Sequence, residues 1–145
     1  MILMLSILDY KLKNYYCVII SVDTVHSEVR FLEAIEIARK VVEAASDKQA
    51  ADITLLDARE VCGFADYFVI CNGDSQRQIQ AIYDEIRHVL KKEGILAQHY
   101  EGTVESGWLL VDFGNVIAHI FAPLEREFYQ LDKLWRRATA IIRIQ

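Results

Sequence analysis

The side chains best able to do chemistry in this chain are four histidines, three cysteines, two serines near turns and a scatter of carboxylates. His26, His88, His99 and His119 show no HxxxH or similar spacing, and Cys17, Cys62 and Cys71 form no CxxC pair, so no zinc site is spelled out. Ser75 or Ser106 with His119 and Asp112 would be the parts of a nucleophilic triad, but no GxSxG elbow accompanies them. Asn72-Gly73-Asp74-Ser75 lies between a predicted strand and a predicted helix, where phosphates often bind. It lacks the GxxxxGK[ST] lysine and the GxGxxG pattern, and Asn, Gly and Asp are ordinary turn formers. Two-metal nucleotidyl transfer needs carboxylates converging from adjacent strands, and the apolar hairpin of residues 108–121 offers Asp112 alone on one of its faces. The expectation is a protein that is not an enzyme and holds neither metal nor cofactor.

What must position these residues is a single domain. A chain of 145 residues, 53% hydrophobic and with one proline, can bury a sizeable core. Its 16 basic and 21 acidic residues leave a net charge of −5, the wrong sign for non-specific binding to a phosphate backbone and the right one for a basic protein partner. Lys133, Arg136, Arg137 and Arg143 make the end basic. That is either a solvated helix end or a peripheral contact to RNA. An odd cysteine count without a disulfide pattern suits a reducing, cytoplasmic setting. The first eight residues are apolar but too short to span a bilayer, and they lack the flanks of a signal peptide.

Along the chain, residues 1–26 read as an extension in which residues 15–22, β-branched and aromatic, could add a strand. A helix capped by Ser27 and running to about Asp47 follows, with Phe31, Ile35, Ala38, Val42 and Ala45 at the helical period. Residues 52–57 read as a strand and residues 66–71 as a buried central one. Asp74 or Ser75 caps the next helix, striped by Ile79, Ile82, Tyr83, Ile86, Val89 and Leu90; Lys91 and Lys92 suit its last turn and Gly94 its C′ position. Strands at 96–101, 108–113 and 116–121 come next, then a helix opened by Pro123 on which Leu124, Phe128, Leu131 and Trp135 share a face. The order predicts an α/β (α+β) domain with a mixed five-stranded sheet.

Gly114-Asn115 matches a type II′ two-residue hairpin loop. That register sets Phe113 opposite Val116, Val111 opposite Ala118 and Leu109 opposite Ile120 on a wholly apolar face. The other face carries Trp108, Leu110 and Asp112, opposed by Phe121, His119 and Ile117, with Asp112 and His119 diagonal and within reach of a hydrogen bond. Two arrangements fit such a face. Either the chain's own helices cover it and the polar pair is satisfied inside, or it stays open for another protein, with Trp108 as anchor.

Asp52-Ile53 with Leu56-Asp57, the run from Asp66 to Ser75, Glu101-Gly102, Trp108 to Gly114, Val116 to Phe121, and Arg126, Tyr129, Leu131, Leu134 and Trp135 together resemble the Iojap-like ribosomal silencing factors, in order, across residues 31–135. Asp74 stands where that family usually has Thr, and Asn115 where it usually has Asp; the second puts a charge-dependent contact at the hairpin tip in question. The resemblance implies a nucleotidyltransferase-like fold lacking catalytic carboxylates, spanning 27–135, with 136–145 as a basic tail. It also implies binding to large-subunit ribosomal protein number fourteen, steric block of subunit joining under nutrient limitation, and a homodimer, with large-subunit assembly as the alternative role and a nucleotide-binding enzyme as a remoter one. On this basis Trp108, Leu110 and Asp112 are expected on the docking surface, with Glu101, His119, Arg126 and Tyr129 beside them. Truncating Trp108 is then expected to weaken docking by about 2 kcal/mol or more.

Overall fold

A computed structural model describes residues 32–145; the expected N-terminal strand, the Ser27 cap and Phe31 lie outside the described residues. The first helix among the described residues, α1 (Ala34–Asp47), begins later than the apolar period suggested. Glu33 sits at its N-cap, and its backbone N–H donates to Glu36 Oε2 at 3.2 Å. Strands β1 (Ala51–Asp57) and β2 (Tyr67–Asn72) follow, then α2 (Gln76–Lys92), whose cap is Ser75: its hydroxyl accepts from Gln78 N–H at 3.2 Å. Next come β3 (His99–Thr103), β4 (Trp108–Asp112) and β5 (Val116–Phe121).

Among the described residues the sheet has six strands in the order β3-β4-β5-β2-β1-β6, with β2 and β5 parallel and every other pair antiparallel. The sixth, β6 (Thr139–Ile144), replaces the expected basic tail. Its β-branched residues pair with β1, which would otherwise present an open edge. Arg143 is its single basic residue, so the charge that marked this segment belongs mostly to the turn before it.

The hairpin has the expected register: Trp108 opposes Phe121, Leu110 opposes His119 and Asp112 opposes Ile117. Phe113 N–H donates to Val116 O at 2.9 Å, and Gly114 takes φ +93, a conformation cheap only for glycine. The backbone carbonyl of Asn115 accepts from Asp66 and Tyr67 N–H at 2.8 and 3.1 Å, contacts indifferent to whether the side chain is Asn or Asp.

One sheet face, with Ile53, Leu55, Val69, Cys71, Leu109, Val111, Ala118 and Ile120, is buried under α1 and α2. The opposite face carries Leu56, Phe68, Ile70, Trp108, Leu110, Phe121 and their neighbours, which are also buried. There the last helix departs from expectation. It breaks at Gln130, which adopts φ +46 and ψ +48, into α3 (Pro123–Tyr129) and α4 (Leu131–Leu134). Consequently Leu124 and Phe128 face solvent, while Leu131 is buried and Trp135 turns in to pack on Phe68, ring centroids 4.8 Å apart.

Candidate functional site

The hairpin's second face is closed, which corrects the expected docking surface. Trp108 is 2% exposed and Leu110, Asp112 and His119 are at or below 1%. Over the Trp108 end the covering ring is Tyr129 of the broken arm, 4.6 Å from the indole. Trp108 also stacks on Phe121 at 4.7 Å, and His119 lies 5.8 Å from Phe68. An indole held this way is a core side chain and offers no surface to a partner.

Asp112 and His119 do not form the expected diagonal bond. Asp112 Oδ1 accepts from Gly114 N–H at 2.7 Å and so fastens the hairpin turn. His119 Nδ1 accepts from Trp108 Nε1–H at 3.3 Å. Because an indole nitrogen only donates, the imidazole must carry its proton on Nε2, which meets no hydrogen-bond partner among the described residues. Burial, reinforced by the Arg126 cation, pushes the His119 pKa down to about 3, so the ring is neutral at physiological pH. Burial likewise pushes the Cys71 thiol up to about 12, leaving it an inert small hydrophobe.

Arg126 also turns inward. Its Nε and Nη2 form a bidentate pair with Asp132 at 2.8 and 3.0 Å, across the break at Gln130. Nη1 donates to Asn72 Oδ1 at 3.0 Å and to the Asp52 carbonyl at 3.3 Å. Asp52 lies in the left-handed region at φ +48, within an irregularity in the β1–β2 ladder, and accepts from Asn72 Nδ2 at 3.1 Å. The network fastens both halves of the arm to the ends of β1 and β2. None of these partners could be named from spacing, since residues 126 and 132 do not meet on a continuous helix.

The remaining expected residues are scattered. Glu101 faces the β3 edge with His99, whose Nε2 lies 2.7 Å from its Oε1. Tyr129, which packs on Trp108, is 41% exposed. Exposed large apolar side chains lie instead on the arm, at Leu124 (77%), Phe128 (80%) and Leu134 (55%), and away from it at Leu96 (65%) and Tyr100 (63%). Among the described residues no group of three or more His, Cys, Asp or Glu side chains is placed to hold a metal, and no helix is long and apolar enough to cross a membrane.

The fold and the site thus define a mixed-sheet α+β domain, sealed on both faces, with one short arm presenting apolar side chains. Residues 32–145 match the family described as "Ribosomal silencing factor during starvation". The ribosomal silencing factor RsfS of Bacillus subtilis is 46% identical over 92 residues, covering 63% of this chain and 78% of that protein. That of Halalkalibacterium halodurans is 37% identical over 106 residues, covering 73% and 91%. A crystal structure of a Chromobacterium violaceum protein superposes with a TM-score of 0.69 at 32% identity, covering 72% of this chain and 87% of that one. The chain belongs to the ribosomal silencing factor family. The match runs to residue 145, so the last ten residues are part of the family domain and not an appendage to it.

Proposed function

We propose that this protein binds the large ribosomal subunit through its protein number fourteen, in the cytoplasm, and acts by occupancy and not by catalysis. Seated at the face that meets the small subunit, it excludes that subunit sterically and lowers translation when nutrients are scarce. The observation carrying this reading is the family match across residues 32–145. The net charge of −5 supports it, since an acidic domain is attracted to a basic ribosomal protein and repelled by bare RNA.

Co-sedimentation with purified large and small subunits, followed by sucrose gradients of joined ribosomes with added protein, tests the proposal. The expected result is association with large subunits alone and a shift of joined ribosomes toward free subunits. Binding to large subunits without that shift would replace silencing by a role in large-subunit assembly. Absence of binding to large subunits would overturn the proposal altogether.

A further inference from the structure

An open groove runs beside α3, lined by Ser106, Leu124, Glu125, Glu127, Phe128 and Tyr129. Single exposed apolar residues are ordinary on a protein surface, but a contiguous set on one short arm marks a place where something docks. Two features make this arm more than a frayed helix. Phe128 meets Tyr129 edge to face at 5.0 Å and Tyr129 packs on buried Trp108, so the exposed ring is tied by an aromatic ladder to the core. Arg126, on the same helix, is locked to Asp132 and Asn72. A ring already held in place loses little conformational entropy when a partner covers it.

The rim of the groove is acidic. Glu125 and Glu127 lie on it, and Glu105 adjoins Ser106 in the neighbouring turn. The Glu125 carboxylate is set down on Gly107, where an added Cβ would come within 2.5 Å of its Cδ, and Gly107 O accepts from Ala122 N–H at 2.8 Å. That close approach places one carboxylate at the groove's edge. An anionic rim repels RNA phosphates. In a twofold dimer centred here the same carboxylates would face each other, which disfavours a second copy.

We infer that the occupant is a basic surface of the ribosomal protein to which this chain binds, with an apolar side chain seated between Leu124 and Phe128 and Lys or Arg groups against Glu125 and Glu127. The inference rests on the ribosome-binding reading above and gives it a contact surface. It moves the anchor from Trp108 to Phe128.

The test uses the full chain, isolated large subunits and graded salt. A Leu124→Ser/Phe128→Ser variant is expected to bind at least 10-fold more weakly while keeping its unfolding midpoint, because both side chains are exposed. Glu127→Lys, at an exposed position on the rim, is expected to weaken binding several-fold and to flatten its salt dependence. Wild-type affinity in both variants overturns the groove and leaves ribosome binding intact, whereas a wild-type chain that ignores large subunits sinks both readings together. Unchanged subunit binding with loss of self-association would assign the groove to a second copy, and equal affinity for protein-stripped ribosomal RNA would assign it to RNA; either overturns the inference.

Discussion

Under α1 and α2 the sheet is closed by helices of 14 and 17 residues that lay Val41, Val42, Ile79, Ile82, Ile86 and Leu90 on a mostly aliphatic surface. The opposite face is fastened at one end by an arm of two short helices that supplies Leu131 and the rings of Tyr129 and Trp135. Burial of the aliphatic layer is non-directional, so many arrangements of similar volume would serve. The arm has no long stripe to bury, and it is held by directional contacts: an indole bonded to an imidazole, stacked rings, and a guanidinium reaching across a helix break. The difference shows why the second face admits a Trp, a His and an Asp where the first admits none.

The sharpest way to break this comparison is Trp108→Ala. If the indole is a core side chain, its loss costs about 3–5 kcal/mol, the range for deleting a buried aromatic. Phe128→Ser should stay within about 0.5 kcal/mol, as for an exposed position. Urea denaturation of both variants measures the contrast. Equal midpoints for Trp108→Ala and wild type would mean that the hairpin face is open after all.

The two faces were unequally legible in the sequence. The period of Ile79, Ile82, Tyr83, Ile86 and Leu90 identified α2 and its buried side, and Gly114-Asn115 identified the hairpin and its register, because local periodicity and turn chemistry decide both. The arm was misread as one continuous helix. Its break rests on a left-handed Gln130, a residue with no special preference for that conformation, and on an Arg126–Asp132 pair that exists only once the break is made. That error put Leu124 and Phe128 on the same face as Leu131 and Trp135, and it left Trp108 without its cover. The sixth strand was missed for a similar reason: its partner β1 is more than 80 residues away in the chain, and the neighbouring charges of Arg136 and Arg137 weighed more than the β-branched run.

A buried imidazole makes the second face sensitive to pH in a way the aliphatic face cannot be. With its folded pKa near 3, His119 is neutral in the fold and protonates near 6.5 once unfolded. Its contribution is therefore complete above about pH 6.5 and declines as pH falls below it, by about 1.4 kcal/mol per unit. From pH 7 to pH 5 the wild type should lose about 2 kcal/mol that His119→Gln does not lose, read from unfolding midpoints across that window. Parallel profiles for the two proteins would show that His119 is solvated or charged in the fold.

The smallest effect separates two ion pairs of nearly equal length. Lys40 Nζ lies 2.7 Å from Glu93 Oε1, with both side chains about a third exposed, whereas Arg126 Nε lies 2.8 Å from Asp132 Oδ2 with the Arg126 side chain 12% exposed. An exposed pair between flexible side chains gains little Coulomb energy over hydration, so Lys40→Gln should leave the midpoint unchanged. Arg126→Lys keeps the charge but loses the planar fork that reaches Asp132 and Asn72 together, leaving the buried Asn72 amide oxygen short of a donor. The expected loss is about 1 kcal/mol, reduced from the value for a fully buried pair because Asp132 is 39% exposed and water screens it. Denaturation at about 0.1 M and about 1 M salt should move the wild-type and Arg126→Lys midpoints together, since the Debye length argument applies to exposed charges and the lost contact is one of geometry. If Lys40→Gln and Arg126→Lys shift the midpoint equally, the arm is held by charge alone, and the directional account of the second face fails at its outermost contact.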